Sequence, residues 1–276
     1  MEKKPETGSL SDILTGADAL VLTAGAGMGV DSGLPDFRGP QGFWRAYPAL
    51  GRAGFRFEDI ANPRAFHDDP LLAWGFYGHR LRLYRNTRPH AGFALLLRLS
   101  EKYPHRSFVF TSNVDGQFQK AGFPDERIVE CHGSIHLMQC LEGCCEDLWS
   151  SGEFDPVVDE ESGRLVSALP LCPRCGGLAR PAILMFGDGG WSGQRTLEQE
   201  ERFRQWRSRV SRPVVIEIGA GTIIPSVRHF GEAQDAPLIR INLREWQTTR
   251  SGDVGLGMSS REGIDALLRE IGDKIP

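Results

Sequence analysis

The residues best spaced for chemistry are cysteines. Cys140 and Cys144 form a C-x-x-x-C pair, and Cys172 and Cys175 form a C-x-x-C pair. Paired thiolates at this spacing are typical of a zinc ribbon, and four thiolates close a tetrahedral site that leaves no position for water. The pattern therefore predicts a structural metal site. By distance alone Cys145 is an equally suitable fourth ligand; we favour Cys144 because C-x-x-x-C is close to knuckle spacing, and unpaired buried cysteines are the alternative.

A cluster of small residues follows an apolar run near the N-terminus. Residues 19–22 are apolar and lead into Gly25, Ala26 and Gly27. Glycines let the backbone approach a ligand closely, and free N–H groups together with the positive end of the next helix can hold a diphosphate. The cluster therefore predicts nucleotide binding. Tight strand-helix packing is the alternative, because the pattern is not G-x-G-x-x-G followed by a plain helix.

The segment 31–39 is predicted to be a loop beside this turn. It contains a proline and two glycines, which argue against a long helix. It also carries an aromatic residue, a cation and two carboxylates. We expect Asp36, Phe37 and Arg38 to close over a bound nucleotide.

Polar residues follow two further predicted strands. The strand at 107–111 delivers Asn113 and Asp115 at its C-terminal end, and the strand at 127–130 runs into His132. Ligands of open parallel sheets bind outside the carboxyl ends of the strands, so these side chains are placed for chemistry. Histidine has an ordinary pKa near neutral pH, which makes His132 the candidate acid or base. A lone histidine without such context is more often structural.

The elements that must position these residues alternate between strand and helix. Further strands are predicted at 214–218 and 238–242, and helices at 70–85, 89–103 and 261–271. Such alternation predicts an α/β fold with a doubly wound parallel sheet. Aromatic residues mixed with Gly and Pro after residue 42, followed by the helix at 70–85, indicate a helical insertion.

Bulk composition excludes several classes of protein. The 276 residues carry a net charge of -4, so the chain is not a strongly basic nucleic-acid binder and no specific nucleic-acid partner is expected. No apolar run approaches the ~20 residues of a membrane span, and the N-terminus lacks the apolar region of a signal peptide. We expect a cytoplasmic protein with no membrane partner, in which the clustered cysteines among the six present bind metal rather than form disulfides.

The sequence GAGMGVDSGLPDFRG resembles the cofactor-binding motif of the sirtuins, the NAD-dependent protein deacylases. Asn113-Val114-Asp115, the pair His132-Gly133 and the four cysteines are also similar to that family's pattern, and the resemblance runs from about Leu20 to Leu268. It implies a Rossmann-like NAD domain interrupted by a smaller lobe made of the helical insertion and the zinc ribbon. The NAD domain would comprise residues 11–43, 87–137 and 181–276, and the small lobe residues 44–86 and 138–180.

The resemblance also implies roles for individual residues. His132 would be the catalytic base, while Asn113 and Asp115 would hold the water and the nicotinamide amide. The implied NAD contacts are Gly25, Ala26, Gly27, Asp36, Phe37, Arg38, Ser112, Asn113, Asp115, Gly219, Gly221, Thr222 and Asn242. The chain departs from the family at Gly29, where Ser is usual, at Ser112, where Gln is usual, and in the loop 219–222, where the hydroxyls are displaced.

Two segments resemble the family's substrate-binding parts. Met185, Phe186 and Gly187 lie in a segment whose extended backbone pairs with the substrate peptide, with Asp188 where Glu is usual; an ordinary strand is the alternative. Tyr77 and Arg80 stand at i and i+3 on one predicted helix and are similar to the Tyr-x-x-Arg pair with which certain sirtuins select succinyl- or malonyl-lysine. The alternative is a helix on which Arg80 is solvated and Tyr77 packs.

The resemblance therefore implies an enzyme that removes acyl groups from lysine and releases nicotinamide and O-acyl-ADP-ribose. NAD would be consumed as a co-substrate, structural Zn²⁺ would hold the small lobe, and an acyl-lysine protein or peptide would be the partner. An NAD hydrolase or ADP-ribosyltransferase is the alternative, because both begin with cleavage of the same bond. A non-catalytic NAD-sensing module is a second alternative, which the presence of His132, Asn113 and Asp115 together argues against.

Overall fold

A six-stranded parallel sheet organises the larger part of the molecule. The computed structural model describes residues 10–36 and 39–272. The strands of this sheet lie in the order β11-β10-β9-β1-β2-β3. Their bounds are β1 Ala19–Ala24, β2 Ser107–Thr111, β3 Ile128–Glu130, β9 Pro213–Ile218, β10 Leu238–Ile241 and β11 Val254–Leu256. Because β1 has β2 on one side and β9 on the other, the loops after these three strands meet at one crevice, where ligands of such sheets bind.

Helices cover both faces of the sheet, as a doubly wound fold requires. On one face they are α1 Leu10–Thr15, α2 Gly27–Val30, α8 Ala91–Glu101, α9 Gln117–Lys120 and α12 Ser260–Ile271, and on the other α10 Gln194–Arg207 and α11 Ser226–Glu232. The fully buried strand β1 serves both layers: Leu20 and Leu22 pack on the first face, and Ala19 and Val21 on the second. Side chains of a strand alternate between faces, so a strand in a sheet buried on both sides is apolar at nearly every position; the exception in β1 is Thr23, which is also buried.

The small lobe has its own aromatic core. Its helices are α3 Gly39–Ala46, α4 Pro48–Arg52, α5 Phe57–Ile60, α6 Pro63–Asp68 and α7 Pro70–Asn86. Its strands are β4 Gly133–Cys140, β5 Trp149–Ser150 and β8 Ala179–Ile183 in the order β5-β4-β8, with a hairpin of β6 Val158–Asp159 and β7 Arg164–Leu165. Trp74 of α7 is buried and donates its indole N–H to the carbonyl of Ala179, 2.9 Å away. This bond ties the helical insertion to the strand that leads out of the cysteine-containing segment.

The predicted α/β fold with two parts is confirmed. The predicted boundaries between the parts fall inside β4, between residues 137 and 138, and inside β8, between residues 180 and 181. Both strands belong to one antiparallel pair, so the division of the chain into lobes by residue number stays a prediction. None of the helices in the described ranges is both long and apolar enough to cross a membrane.

Candidate functional site

Two glycine-containing loops meet backbone to backbone at the end of β1. A Cβ on Gly27 would lie 2.7 Å from Cα of Gly219, and one on Gly25 would lie 2.8 Å from Cα of Ala220. The N–H of Gly27 donates to the carbonyl of Gly219 over 3.0 Å. No side chain fits between loops this close, so the two loops pack directly against each other beside the crevice. At Gly29 a Cβ would lie 3.1 Å from Cδ1 of Leu34, so a larger residue there would require the Leu34 side chain to shift by a few tenths of an ångström.

The second loop, residues 219–222, is fixed by Asn242. Its amide donates to the carbonyl of Ala220 over 2.8 Å, and its Oδ1 accepts the N–H groups of Arg244 and Glu245. Thr222 donates its hydroxyl to Oε1 of Glu245 over 2.7 Å. Asn242 is therefore a loop-forming residue in this structure. Glu245, which the sequence reading missed, is the carboxylate that stands beside the predicted nucleotide loop.

Asn113 and Asp115 lie just beyond β2 as predicted. Asn113 donates its amide to the carbonyl of Gly25 over 3.0 Å, which joins it to the glycine loop. Asp115 is only 7% exposed, and its Oδ1 accepts the N–H of Gln117 over 2.9 Å. Burial raises the pKa of the Asp115 carboxyl to about 6, against the lowering effects of that hydrogen bond and of the charge on Arg80. Ser112, which precedes Asn113, donates its backbone N–H to the carbonyl of Ala24.

His132 follows β3 by two residues, at the same edge of the sheet. Burial lowers the pKa of its imidazole, so the ring is neutral at pH 7 and able to accept a proton. Its carbonyl accepts the N–H of Leu184 over 3.0 Å. The next residue must be glycine, because Gly133 has φ +76° and a Cβ there would lie 2.1 Å from the carbonyl oxygen of Ala182. His132 is thereby held against the segment predicted to bind the peptide.

The predicted peptide-binding segment is shaped by a buried ion pair. Arg180 makes two bonds of 2.7 and 2.8 Å to the carboxylate of Asp188, and both side chains are almost fully buried. The same carboxylate accepts the N–H of Met185 over 3.2 Å. Phe186 donates its N–H to Ala61 in the small lobe over 2.9 Å, and Gly187 has φ +65°. The segment thus connects the two lobes in a defined conformation.

Tyr77 and Arg80 lie inside the small lobe. Tyr77 is 1% exposed, and its ring stacks on Phe66 at a centroid distance of 5.5 Å. Arg80 is also buried, and its guanidinium donates from Nε and Nη2 to the hydroxyl of Tyr84. Of the alternative raised from the sequence, the solvated Arg80 is therefore wrong, while Tyr77 does pack in the core. The apolar cluster that contains Tyr77 and Tyr84 also contains Val114, which lies after β2, and Ile183 and Met185, which lie at and just beyond the end of β8.

Four cysteines converge at the far end of the small lobe. The thiol sulfurs of Cys140, Cys144, Cys172 and Cys175 all lie within 4.8 Å of one another. Cys140 is 3.7 Å from Cys175, and Cys144 is 3.6 Å from Cys172. Four thiolates bound to Zn²⁺ at ~2.3 Å lie about 3.8 Å apart, so the arrangement fits a tetrahedral zinc site. The structure groups Cys144 with the other three; Cys145 lies beside Cys144, at 3.8 Å.

Comparison with known proteins decides the family. Residues 25–202 match the model of the Sir2 family. The chain belongs to the Sir2 family. NAD-dependent protein deacylase 2 of Pyrobaculum aerophilum is 31% identical over 270 residues, which are 95% of each chain. A Sir2 homologue solved as an NAD complex superposes with a TM-score of 0.73, at 25% identity, over 100% of this chain and 98% of the other. A mutant Sir2 homologue solved with 2'-O-acetyl-ADP-ribose gives a TM-score of 0.71 at 25% identity, over 100% and 98%.

In this Sir2-family chain, Asn113 and His132 lie beyond the carboxyl ends of neighbouring strands. Asn113 contacts the glycine loop, and His132 contacts the segment that leads to Met185. Of the loop predicted to close over the nucleotide, Asp36 is half-buried, while Phe37 and Arg38 lie outside the described residues. Glu245 was missed although it follows Asn242 by only three residues. A carboxylate after a strand of a nucleotide-binding sheet is the signal that would have found it.

Proposed function

We propose that the protein is an NAD-dependent protein-lysine deacylase. The observation that carries the proposal is that a neutral His132, the amide of Asn113 and the backbone crevice of Gly25 and Gly27 lie at one edge of the sheet. Sir2-family relatives named for this activity match nearly the whole chain. The acyl group would leave lysine as O-acyl-ADP-ribose, with nicotinamide as the other product, so that NAD is a consumed co-substrate.

The proposed site residues have different chemical roles. A diphosphate would lie against the backbone of the two glycine loops, which meet with no side chain between them. His132 would take a proton from a ribose hydroxyl, because a buried neutral imidazole accepts protons near pH 7. Asn113 and Asp115 would hold the water and the nicotinamide amide. The remaining NAD contacts proposed are Ala26, Asp36, Phe37, Arg38, Ser112, Gly219, Gly221, Thr222 and Asn242.

The zinc site would serve the fold rather than the reaction. Four thiolates leave no coordination position for water or substrate. Trp74 connects α7 to Ala179, within the same strand pair that carries Cys140. Zinc bound by Cys140, Cys144, Cys172 and Cys175 would therefore hold the small lobe in place.

The substrate would be an acyl-lysine peptide bound along residues 185–187. Strand-like backbone pairing supplies affinity with little demand on sequence. For the acyl group, we propose that succinyl or malonyl is removed at least as well as acetyl, because a guanidinium enclosed by aromatic rings gains a charge-assisted pair from a carboxylate. We further propose a cytoplasmic location, with no specific nucleic-acid partner.

The test of the proposed function is a pair of histidine variants assayed with NAD and an acetylated or succinylated peptide. His132→Ala should lower kcat about 10²–10⁴-fold and leave NAD binding, followed by calorimetry, largely intact. The exposed His67 provides the control His67→Ala, which should turn over normally. Normal turnover in His132→Ala, or NAD binding without peptide-dependent turnover in the native protein, contradicts the proposal. The second outcome would indicate the non-catalytic module.

A further inference from the structure

Tyr84 holds the guanidinium of Arg80 through two hydrogen bonds. The two residues stand one turn apart on α7, where side chains at i and i+4 meet. The hydroxyl oxygen of Tyr84 accepts Nε of Arg80 at 3.1 Å and Nη2 at 2.9 Å. Because both donors belong to one edge of a planar group, a single oxygen fixes the orientation of that edge.

Aromatic rings restrict the guanidinium further. Its central carbon lies 5.3 Å from the ring centroid of Phe76, 5.6 Å from that of Tyr77 and 5.4 Å from that of Tyr84. All of these rings are buried. An arginine normally samples many rotamers, and holding it before a ligand arrives removes an entropic cost from binding. Tyr84 contributes both its ring and its hydroxyl to this enclosure.

The fixed guanidinium lies near the proposed reaction site. Its charge lowers the pKa of the Asp115 carboxyl against the effect of burial, and the Asp115 charge in turn raises the pKa of Tyr84. Met185 of the proposed peptide-binding segment packs in the same apolar cluster as Tyr84. The charge of Arg80 therefore acts on Asp115, which the proposed function assigns to the reaction site.

We propose that Tyr84 is a positioning residue that sets selectivity for acidic acyl groups by orienting the guanidinium of Arg80. The inference rests on the proposed function, in which Arg80 meets the carboxylate of a succinyl or malonyl group. Arginine binds a carboxylate through two parallel hydrogen bonds, so binding depends on the orientation of the guanidinium plane. Attraction to a point charge has no such dependence. Removing the Tyr84 hydroxyl keeps the charge of Arg80 and the aromatic rings around it, but the orientation of the guanidinium plane is then no longer fixed.

The experiment measures kcat and KM for succinyl and acetyl versions of one peptide in four proteins. Tyr84→Phe should raise KM for the succinyl peptide about tenfold, leave kcat and the acetyl KM within about twofold, and leave the KM for NAD unchanged. Arg80→Met should remove the selectivity altogether. Tyr103→Phe removes a buried hydroxyl that bonds Leu14 in the other lobe, and this control should keep the native ratio.

The outcomes separate the inference from the function. If Arg80→Met changes the succinyl-to-acetyl ratio and Tyr84→Phe does not, the role of Tyr84 is refuted and the acyl preference stands. If neither variant changes the ratio, both are refuted, while deacylation itself is judged from the native protein with acetyl peptide. Tyr84→His restores an acceptor atom on an aromatic ring and should recover part of the native ratio. Should Tyr84→Phe fail to fold, Tyr84→Met, which also lacks the hydroxyl, takes its place with the same expected rise in the succinyl KM.

Discussion

Asp115 gives the sharpest physical prediction, because its charge is costly to the fold. Burial raises the pKa of this carboxyl from its ordinary 3.8 to about 6, so the folded state disfavours the ionised form. A rise of this size corresponds to about 3 kcal/mol of lost stability at a pH above both values. The sign is that of a raised carboxyl pKa: the cost is absent well below pH 3.8, grows between pH 3.8 and 6, and is complete above pH 6.

Asp115→Asn removes the charge and keeps the acceptor. Its amide oxygen can still accept the N–H of Gln117, the hydrogen bond that the native carboxylate makes. We therefore expect the variant to be more stable than the native protein by about 3 kcal/mol at pH 8 and by about half of that at pH 5. At the same time the KM for NAD should rise, since the proposed role of Asp115 is to contact nicotinamide.

The assay is urea denaturation of both proteins at pH 5 and pH 8. The difference between the two proteins at one pH removes the titration of every group that they share. Asp125→Asn, at an exposed position in the short 3-10 turn before β3, is the matched control and should change stability by no more than about 0.5 kcal/mol at either pH. Equal or lower stability of Asp115→Asn at pH 8 would refute the reasoning.

Two further predictions concern the metal site and the glycine crevice. Cys172→Ser should release zinc and lower the melting temperature of the small lobe, because about 10 kcal/mol of metal-binding free energy is coupled to folding. Metal analysis and thermal denaturation measure these effects, with Cys131→Ser as the control. Full zinc occupancy in Cys172→Ser would contradict the site. Gly219→Ala should weaken NAD binding at least about tenfold, because its Cβ would lie 2.4 Å from the carbonyl carbon of Gly27. Gly252→Ala tests the same positive φ with nothing within 4 Å, and equal NAD affinity in both variants would exclude the clash as the cause.

The parts of the fold that the sequence predicts are those with strong local signals. The strand predicted at 107–111 has the same bounds in the structure. All five of its residues are buried. The last helix, predicted at 261–271, begins at Ser260. Its start is marked by a capping box in which Ser259 and Glu262 bond each other's backbone N–H groups, a signal confined to four residues.

The helix α10 shows what local patterns do not reveal. Its sequence is strongly polar, and buried positions within it include Thr196 and Gln199. These side chains are satisfied only by β3: Gln199 accepts the N–H of Glu130, and Thr196 donates to the carbonyl of Glu130. Arg195 pairs with the carboxylate of the same Glu130 over 2.6 Å. Because these partners are more than sixty residues away in sequence, the segment has no amphipathic pattern that would predict the helix.

The nucleotide loops depend on strand register in the same way. Glu217 in β9 and Arg240 in β10 are both buried and form a two-bonded pair of 2.7 and 3.0 Å. They meet because the parallel register of the two strands aligns them. When a charged residue lies inside a strand predicted to be apolar, the neighbouring sequence does not show which residue is its ion-pair partner. The sequence therefore predicts which polar residues follow the strands, while the contacts that hold the nucleotide loops in shape required the structure.

The central claim is that NAD cleavage is coupled to removal of an acyl group from lysine. The most direct measurement is a mass-spectrometric balance of products after incubation of the zinc-loaded protein with NAD and an acyl-lysine peptide. The account predicts nicotinamide, O-acyl-ADP-ribose and deacylated peptide in equal amounts, all dependent on the acylated peptide and all lost in His132→Ala. Free ADP-ribose formed without peptide, or a peptide that gains ADP-ribose and keeps its acyl group, would contradict it.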